Sequence, residues 1–200
     1  MHNPHLFPTE PVNVLIDGGF LEQALKKQKK QISIAEVDSI VKQAVNSLQT
    51  KLGTAVSVNL FRVLYYDCFP FEGIKKDPNG NTVNFASNPI VPAKKTFLSD
   101  IAKQDCFGLR AGQLSFRGWT QYKNGKYGPI FQQKGVDMKC GLDIAVMSMK
   151  KIVDAIIIIA GDSDFIAPLK VARKEGVLVA IQSLGLPTKE ELIKHSDFYL

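Results

Sequence analysis

Apolar residues along the chain fall into short runs and helical stripes that alternate. Residues 12–16, VNVLI, form a run that stops at Asp17-Gly18-Gly19, which predicts a buried strand closed by a turn. Residues 20–30 predict a helix, with Leu21, Ala24 and Leu25 on one face and lysines behind. Ser33 and Glu36 have the spacing of a capping box, and Ile34, Val37, Val41, Ala44, Val45, Leu48 and Leu52 follow at helical spacing until Gly53. Residues 56–66 predict a second strand that runs into Asp67. Residues 68–92 carry Pro70, Pro78, Pro89 and Pro92 and predict a loop or extended insert. Pro92 suits the first turn of a helix over 93–104. Residues 113–122 and 126–132 flank Asn124-Gly125, a strong hairpin signal.

The second half of the pattern is more regular. A helix over 138–151 precedes AIIIIA at 155–160, a β-branched strand buried on both faces. A helix over 165–175 stops at Gly176, and a strand follows at 177–181. A short helix at 188–195 and a strand at 198–200 complete the order. Strands alternating with helices ask for a mostly parallel sheet covered by helices on both faces, an α/β fold. The 200 residues contain no repeat and no low-complexity linker, so one domain is expected over 12–200. A tail at 1–11 would precede it, and an insert at about 68–133 would interrupt it.

In open α/β sheets, sites form beyond the carboxyl ends of the strands. Acids stand there. Asp17 follows the first strand, Asp67 the second, and Asp162 and Asp164 follow the strand at 155–160. Asp137 and Asp143 bracket the start of the helix before that strand, and Gly135 suggests a turn that delivers Asp137 at the helix N-terminus. Two carboxylates about 4 Å apart repel by roughly 4 kcal/mol at an effective dielectric of 20. Acids brought together therefore share protons or bind cations, and carboxylate oxygen suits hard divalent ions such as Mg²⁺ or Mn²⁺. A lone Asp after a strand is more often a cap or turn former, which is the expectation for Asp67. Asp137 and Asp143 are six residues apart and do not share a helix face.

Charge adds an anionic partner to this picture. The chain carries a net +6, and residues 94–139 alone hold nine Lys or Arg against three Asp. Phe97, Phe107, Phe116, Trp119, Tyr122, Tyr127 and Phe131 are interleaved with those cations, which suits single-stranded nucleic acid unless the aromatics turn into a core. Lys134, Arg110, Arg117 and Lys139 are the candidate nucleic-acid contacts.

Several chemistries drop out. His2 and His5 lie in the first five residues, leaving only His195 inside the fold. Cys68, Cys106 and Cys140 form no CxxC pair, which argues against a zinc site or a disulfide framework and fits a reduced, cytoplasmic setting. No phosphate loop, dinucleotide fingerprint or GxSxG elbow occurs. No membrane span or signal peptide is expected, because the longest apolar run has six residues.

Val14-Leu15-Ile16-Asp17-Gly18, Lys134-Gly135-Val136-Asp137 running into Leu142-Asp143-Ile144-Ala145, and Gly161-Asp162-Ser163-Asp164-Phe165 occur in an order that resembles the NYN domain family. The likeness is to its LabA-like branch, within the PIN-like nuclease superfamily. Pro168-Leu169, the strand at 176–181 and the stretch 109–115 extend the resemblance over roughly 12–200. It implies a three-layer α/β/α sandwich, PIN-like or Rossmann-like, with a central, mostly parallel sheet, to which the pattern at 113–132 adds a β-hairpin insert. It also implies metal-dependent hydrolysis of RNA phosphodiester bonds; the acids point to Mg²⁺ or Mn²⁺ as the ion, and the basic, aromatic stretch favours single-stranded RNA. Asp17, Asp137 and Asp162 would be the metal ligands, Asp164 would complete the cluster, and Asp143 would support it. Many members carry Asn three positions after the first Asp, where this chain has Phe20. A homodimer is a further expectation. The rival expectations are an RNA-binding or regulatory module with an inactive acidic pocket, and a metal-dependent phosphoesterase acting on a nucleotide-like small molecule.

Overall fold

A computed structural model of the chain describes residues 9–200. Residues 1–8 of the expected tail, with His2 and His5, lie outside the described residues, while 9–11 already belong to the first strand. The elements run in the order β1 (Thr9–Asp17), α1 (Gly18–Lys27), α2 (Ile34–Leu52), β2 (Ser57–Cys68), β3 (Ile74–Lys76), β4 (Thr82–Asn84), α3 (Ile90–Ile101), β5 (Phe107–Gln121) and β6 (Tyr127–Lys134). They continue with α4 (Val136–Met149), β7 (Ala155–Ile159), α5 (Ile166–Lys174), β8 (Leu178–Ile181), α6 (Glu190–Lys194) and β9 (Phe198–Tyr199). The main sheet has seven strands in the order β6-β5-β2-β1-β7-β8-β9. All neighbours are parallel except β5 and β6. No helix among the described residues is long and apolar enough to cross a membrane.

Helices cover both faces of the sheet, giving the α/β/α sandwich. Val12, Val14 and Ile16 of β1 pack with Leu21 and Leu25 of α1, Val41 and Leu48 of α2 and Leu98 of α3. Leu15 of β1 alternates to the opposite face, where it joins Ile144 of α4, Leu169 of α5 and Leu192 of α6. Every residue of β7 is buried, as the β-branched run predicts for a central parallel strand. Ser33 caps α2 by accepting from the Glu36 N–H at 3.2 Å, but the Glu36 carboxylate pairs with Lys30 at 2.6 Å instead of closing the capping box.

The insert is less independent than its composition suggests. The amino-terminal part of β5 joins the main sheet, with Val63–Cys68 of β2 pairing in parallel with Phe107–Gly112. Its remaining part forms the expected hairpin with β6. The turn is a three-residue loop rather than a two-residue one, with the Gly125 N–H donating to the Tyr122 carbonyl at 2.9 Å and Gly125 at φ 78°. β3 and β4 form a small antiparallel ribbon. Between ribbon and hairpin lies an aromatic cluster. Phe71, Phe85, Phe116, Trp119 and Phe131 sit with ring centroids 5.3–6.1 Å apart. The Trp119 indole donates to the Lys76 carbonyl at 2.8 Å. Three of the aromatics that read as base-stacking candidates thus turn inward and hold the ribbon on the hairpin.

One buried ion pair ties the insert to the sheet. Asp67, 4% exposed at its side chain, accepts from Lys94 of α3 at 2.6 Å, and Lys94 also contacts Glu22 of α1. Burial works against the Lys94 charge, but Asp67 and Glu22 together hold its ammonium above the ordinary lysine value. Removing one partner leaves the other charge buried, which typically costs about 3–5 kcal/mol. Lys94→Met should therefore destabilise the protein by about that amount in denaturant unfolding, and adding Asp67→Asn should recover most of it. An additive double mutant would show that the pair is not coupled.

Candidate functional site

The topology forces the site. From β1 the chain crosses to β2 on one side of the sheet, and only after the insert does it reach β7 on the other side. β1 and β7 are thus neighbours at the point where the strand order reverses, and their carboxyl ends open into one crevice. A cavity of about 510 Å³ lies there, and Asp17, Asp137 and Asp162 all line it, together with Phe20, Gln133 and Lys189.

Local structure places each acid. Asp17 ends β1 and caps α1, its Oδ1 accepting from the N–H groups of Gly19 at 2.9 Å and Phe20 at 3.1 Å. The strand passes into the helix with no intervening loop, so Gly18 and Gly19 are helical rather than the expected turn. Glycine is required at 18, because a Cβ would collide with Asp67 and approach the Tyr65 ring to 2.9 Å. Asp137 stands in the first turn of α4, after Gly135 at φ 78°, as the Lys134-Gly135 step suggests. Asp162 follows β7 and caps a short 3₁₀ turn, accepting from the Asp164 N–H at 3.3 Å and the Ser163 hydroxyl at 3.2 Å.

The acids repel one another. Burial pushes the Asp17 carboxyl above its ordinary value, the two capping N–H groups oppose this, and Asp137 and Asp67 push it further up. The Asp137 carboxyl is also raised, first by burial and then by Asp164 and Asp162. Among the described residues, no three His, Cys, Asp or Glu side chains are gathered into a group that could hold a metal ion. The chemistry of the donors nevertheless fits a hard divalent ion, since three carboxylates line one cavity and two of them are held above their ordinary values by burial and unrelieved repulsion.

The other expected residues are placed differently. Asp164 is exposed and outside the cavity lining, although near enough to repel Asp137. Asp143 accepts from the Tyr66 hydroxyl at 2.9 Å and from Arg110 Nε at 2.8 Å, and it lines a separate hollow with Asn13 and Phe61. That pairing removes both Asp143 from the acid cluster and Arg110 from the free cations. Arg117 donates to Gln132 within the hairpin at 2.7 Å, and the Lys139 ammonium turns back onto the Ala111 carbonyl. Lys134 is exposed at the end of β6, beside the cavity-lining Gln133. Phe20 lies against Gly161, where a Cβ would run into its ring, so an aromatic edge forms part of the cavity wall. Gln23, Gln133 and Lys189 are cavity residues that the sequence reading missed. The carboxyl-end rule, applied to β8 as well as to β1, β2 and β7, points to the segment that carries Lys189.

The raised Asp17 carboxyl has a measurable sign. The folded state holds this proton to higher pH than the unfolded chain does, so ionising Asp17 costs stability. The cost is absent below the ordinary carboxylate range and grows as pH rises through the raised value. Asp17→Asn keeps an acceptor for the cap and removes the charge. In EDTA it should raise Tm by about 2–4 °C near pH 7.5, with the gain gone near pH 4. A lower Tm at neutral pH would contradict the repulsion.

Residues 112–200 match the model of the NYN domain family. No curated protein matches the chain. The family match includes Asp137, Asp162, Asp164 and Lys189, while Asp17 stands outside it and reaches the same cavity through the pairing of β1 with β7. The motif resemblance thus gains support at the level of the NYN family for the stretch 112–200.

Proposed function

We propose that the protein is a metal-dependent ribonuclease of the LabA-like NYN kind, hydrolysing phosphodiester bonds of single-stranded RNA with Mg²⁺ or Mn²⁺. The observation that carries this reading is the meeting of Asp17, Asp137 and Asp162, from segments far apart in sequence, in one cavity at the switch point of the sheet. These residues would hold the ion, with Asp164 adding negative charge nearby. When bound, a divalent ion activates water and offsets charge on the phosphoryl oxygens during in-line displacement.

The chain itself supplies placement. The N–H groups of Gly19 and Phe20 fix one Asp17 oxygen, which limits rotation of that carboxylate. The 3₁₀ turn does the same for Asp162. Asp137 stands at a helix N-terminus, where the dipole favours its charge. Among the described residues no histidine lines the cavity, and in this reading water protonates the leaving oxygen. Gln23 and Gln133 present amides to whatever occupies the space.

A second reading has its own support. The acids line the cavity without closing into a ligand group, and Phe20 occupies part of the wall. Both features suit an RNA-binding module that has lost turnover. End-labelled single-stranded RNA incubated with the protein in Mn²⁺, Mg²⁺ or EDTA separates the two. A ribonuclease should cleave only with metal, and Asp17→Asn should lower the rate at least about 100-fold while remaining folded. Salt-sensitive RNA binding without products in any metal would replace it with the binding module.

A further inference from the structure

The cavity poses an electrostatic problem for any RNA substrate. Three acids line it, and a phosphodiester that enters meets their negative charge. Among the described residues, Lys189 is the one cation lining the cavity. Arg110, Arg117 and Lys139 lie outside its lining, in contact with Asp143, Gln132 and the Ala111 carbonyl, and Lys134 is exposed beside it.

We propose that Lys189 is the phosphate-binding residue of the cavity, resting on Asp162 and Ser163 in the free protein and released to the RNA backbone when a cation takes its place beside Asp162. This rests on the ribonuclease reading and adds the residue through which the site tolerates a polyanion. The base of Lys189 is fixed. Its carbonyl accepts from the N–H of Leu192 at 2.9 Å, and the wholly buried Leu192 anchors α6 to the core. Its tip is lightly held. The ammonium donates to the Ser163 hydroxyl at 2.8 Å and lies 3.6 Å from Asp162 Oδ1, with the two side chains 61% and 56% exposed. Exposed pairs of this kind are weak, so the ammonium can leave Asp162 at little cost. A fixed base and a weakly tethered tip suit a point charge that changes partner between a carboxylate and a phosphate.

The arrangement makes Lys189 a competitor of the metal and a helper of the RNA, so removing it should move two measurements in opposite directions. Lys189→Met should tighten Mn²⁺ binding to the RNA-free protein, measured by calorimetry, by several-fold. It should weaken binding of a fluorescent single-stranded oligoribonucleotide in Ca²⁺ and flatten the plot of log Kd against log salt by about 0.7. Lys189→Arg should restore the RNA slope. In cleavage assays the loss should fall on KM more than on kcat. An unchanged salt slope in a folded Lys189→Met protein, with wild type binding RNA normally, would overturn the assignment and leave the ribonuclease reading standing. Failure of the wild type to bind RNA would overturn both. Unchanged or weaker Mn²⁺ binding would overturn the resting contact with Asp162.

Discussion

The parallel pairing of β1 with β7 is the constraint on which the rest of the site depends. Val12–Ile16 is hydrogen-bonded in register with Ala155–Ile159, and both strands are buried between helical layers. A slip of one residue would turn Leu15 and Ile158 toward the wrong layer, so the register is strongly held. Because the register is held, the residues that leave the two strands, Asp17 and Asp162, must meet at the same edge. The core therefore carries the energetic cost of the site. Burial of the apolar strands on both faces offsets the repulsion among acids that would otherwise disperse them.

The charge distribution divides into two regions with different duties. The cations of the stretch 94–139 that looked like one nucleic-acid patch are largely built into the architecture. Lys94 neutralises Asp67 beneath α1, Lys95 pairs with Glu72, and Arg110 holds Asp143. Lys75 lies over the Phe116 ring within the aromatic cluster. The net positive charge is thus partly a by-product of how a long insert is fastened to an α/β sheet, and the cavity itself is acidic, with one cation at its wall among the described residues.

Much of the fold was legible because its signals are local or periodic. A continuous β-branched run can only be a central strand at this length, the Ser33 cap announces α2, and Asn124-Gly125 announces the hairpin. The order of elements then implied the parallel sheet and the two helical layers. The amino-terminal part of β5 was not legible, because FGLRAG has few β-branched residues and no alternation, and its strand state comes from pairing with β2. The aromatic cluster was equally hidden, since periodicity does not distinguish a side chain that stacks on a base from one that packs on Phe85. Asp17, Asp137 and Asp162 could be named from strand ends and helix starts. The partnership of Asp143 with Arg110 and Tyr66 could not, because it joins residues 33 and 77 positions apart.

The capping roles of Asp17 and Asp162 bear on how such a protein changes over evolutionary time. The two acids satisfy backbone donors that any folded copy must satisfy, whatever happens to the chemistry. Asparagine meets the same structural demand, so a single substitution would remove the charge from the cavity and leave the scaffold intact and selectable. On the ribonuclease reading proposed above, loss of turnover would be separated from loss of the fold by one amide. A lineage built on such a scaffold would then have a short route from an enzyme to a protein that only recognises its former substrate.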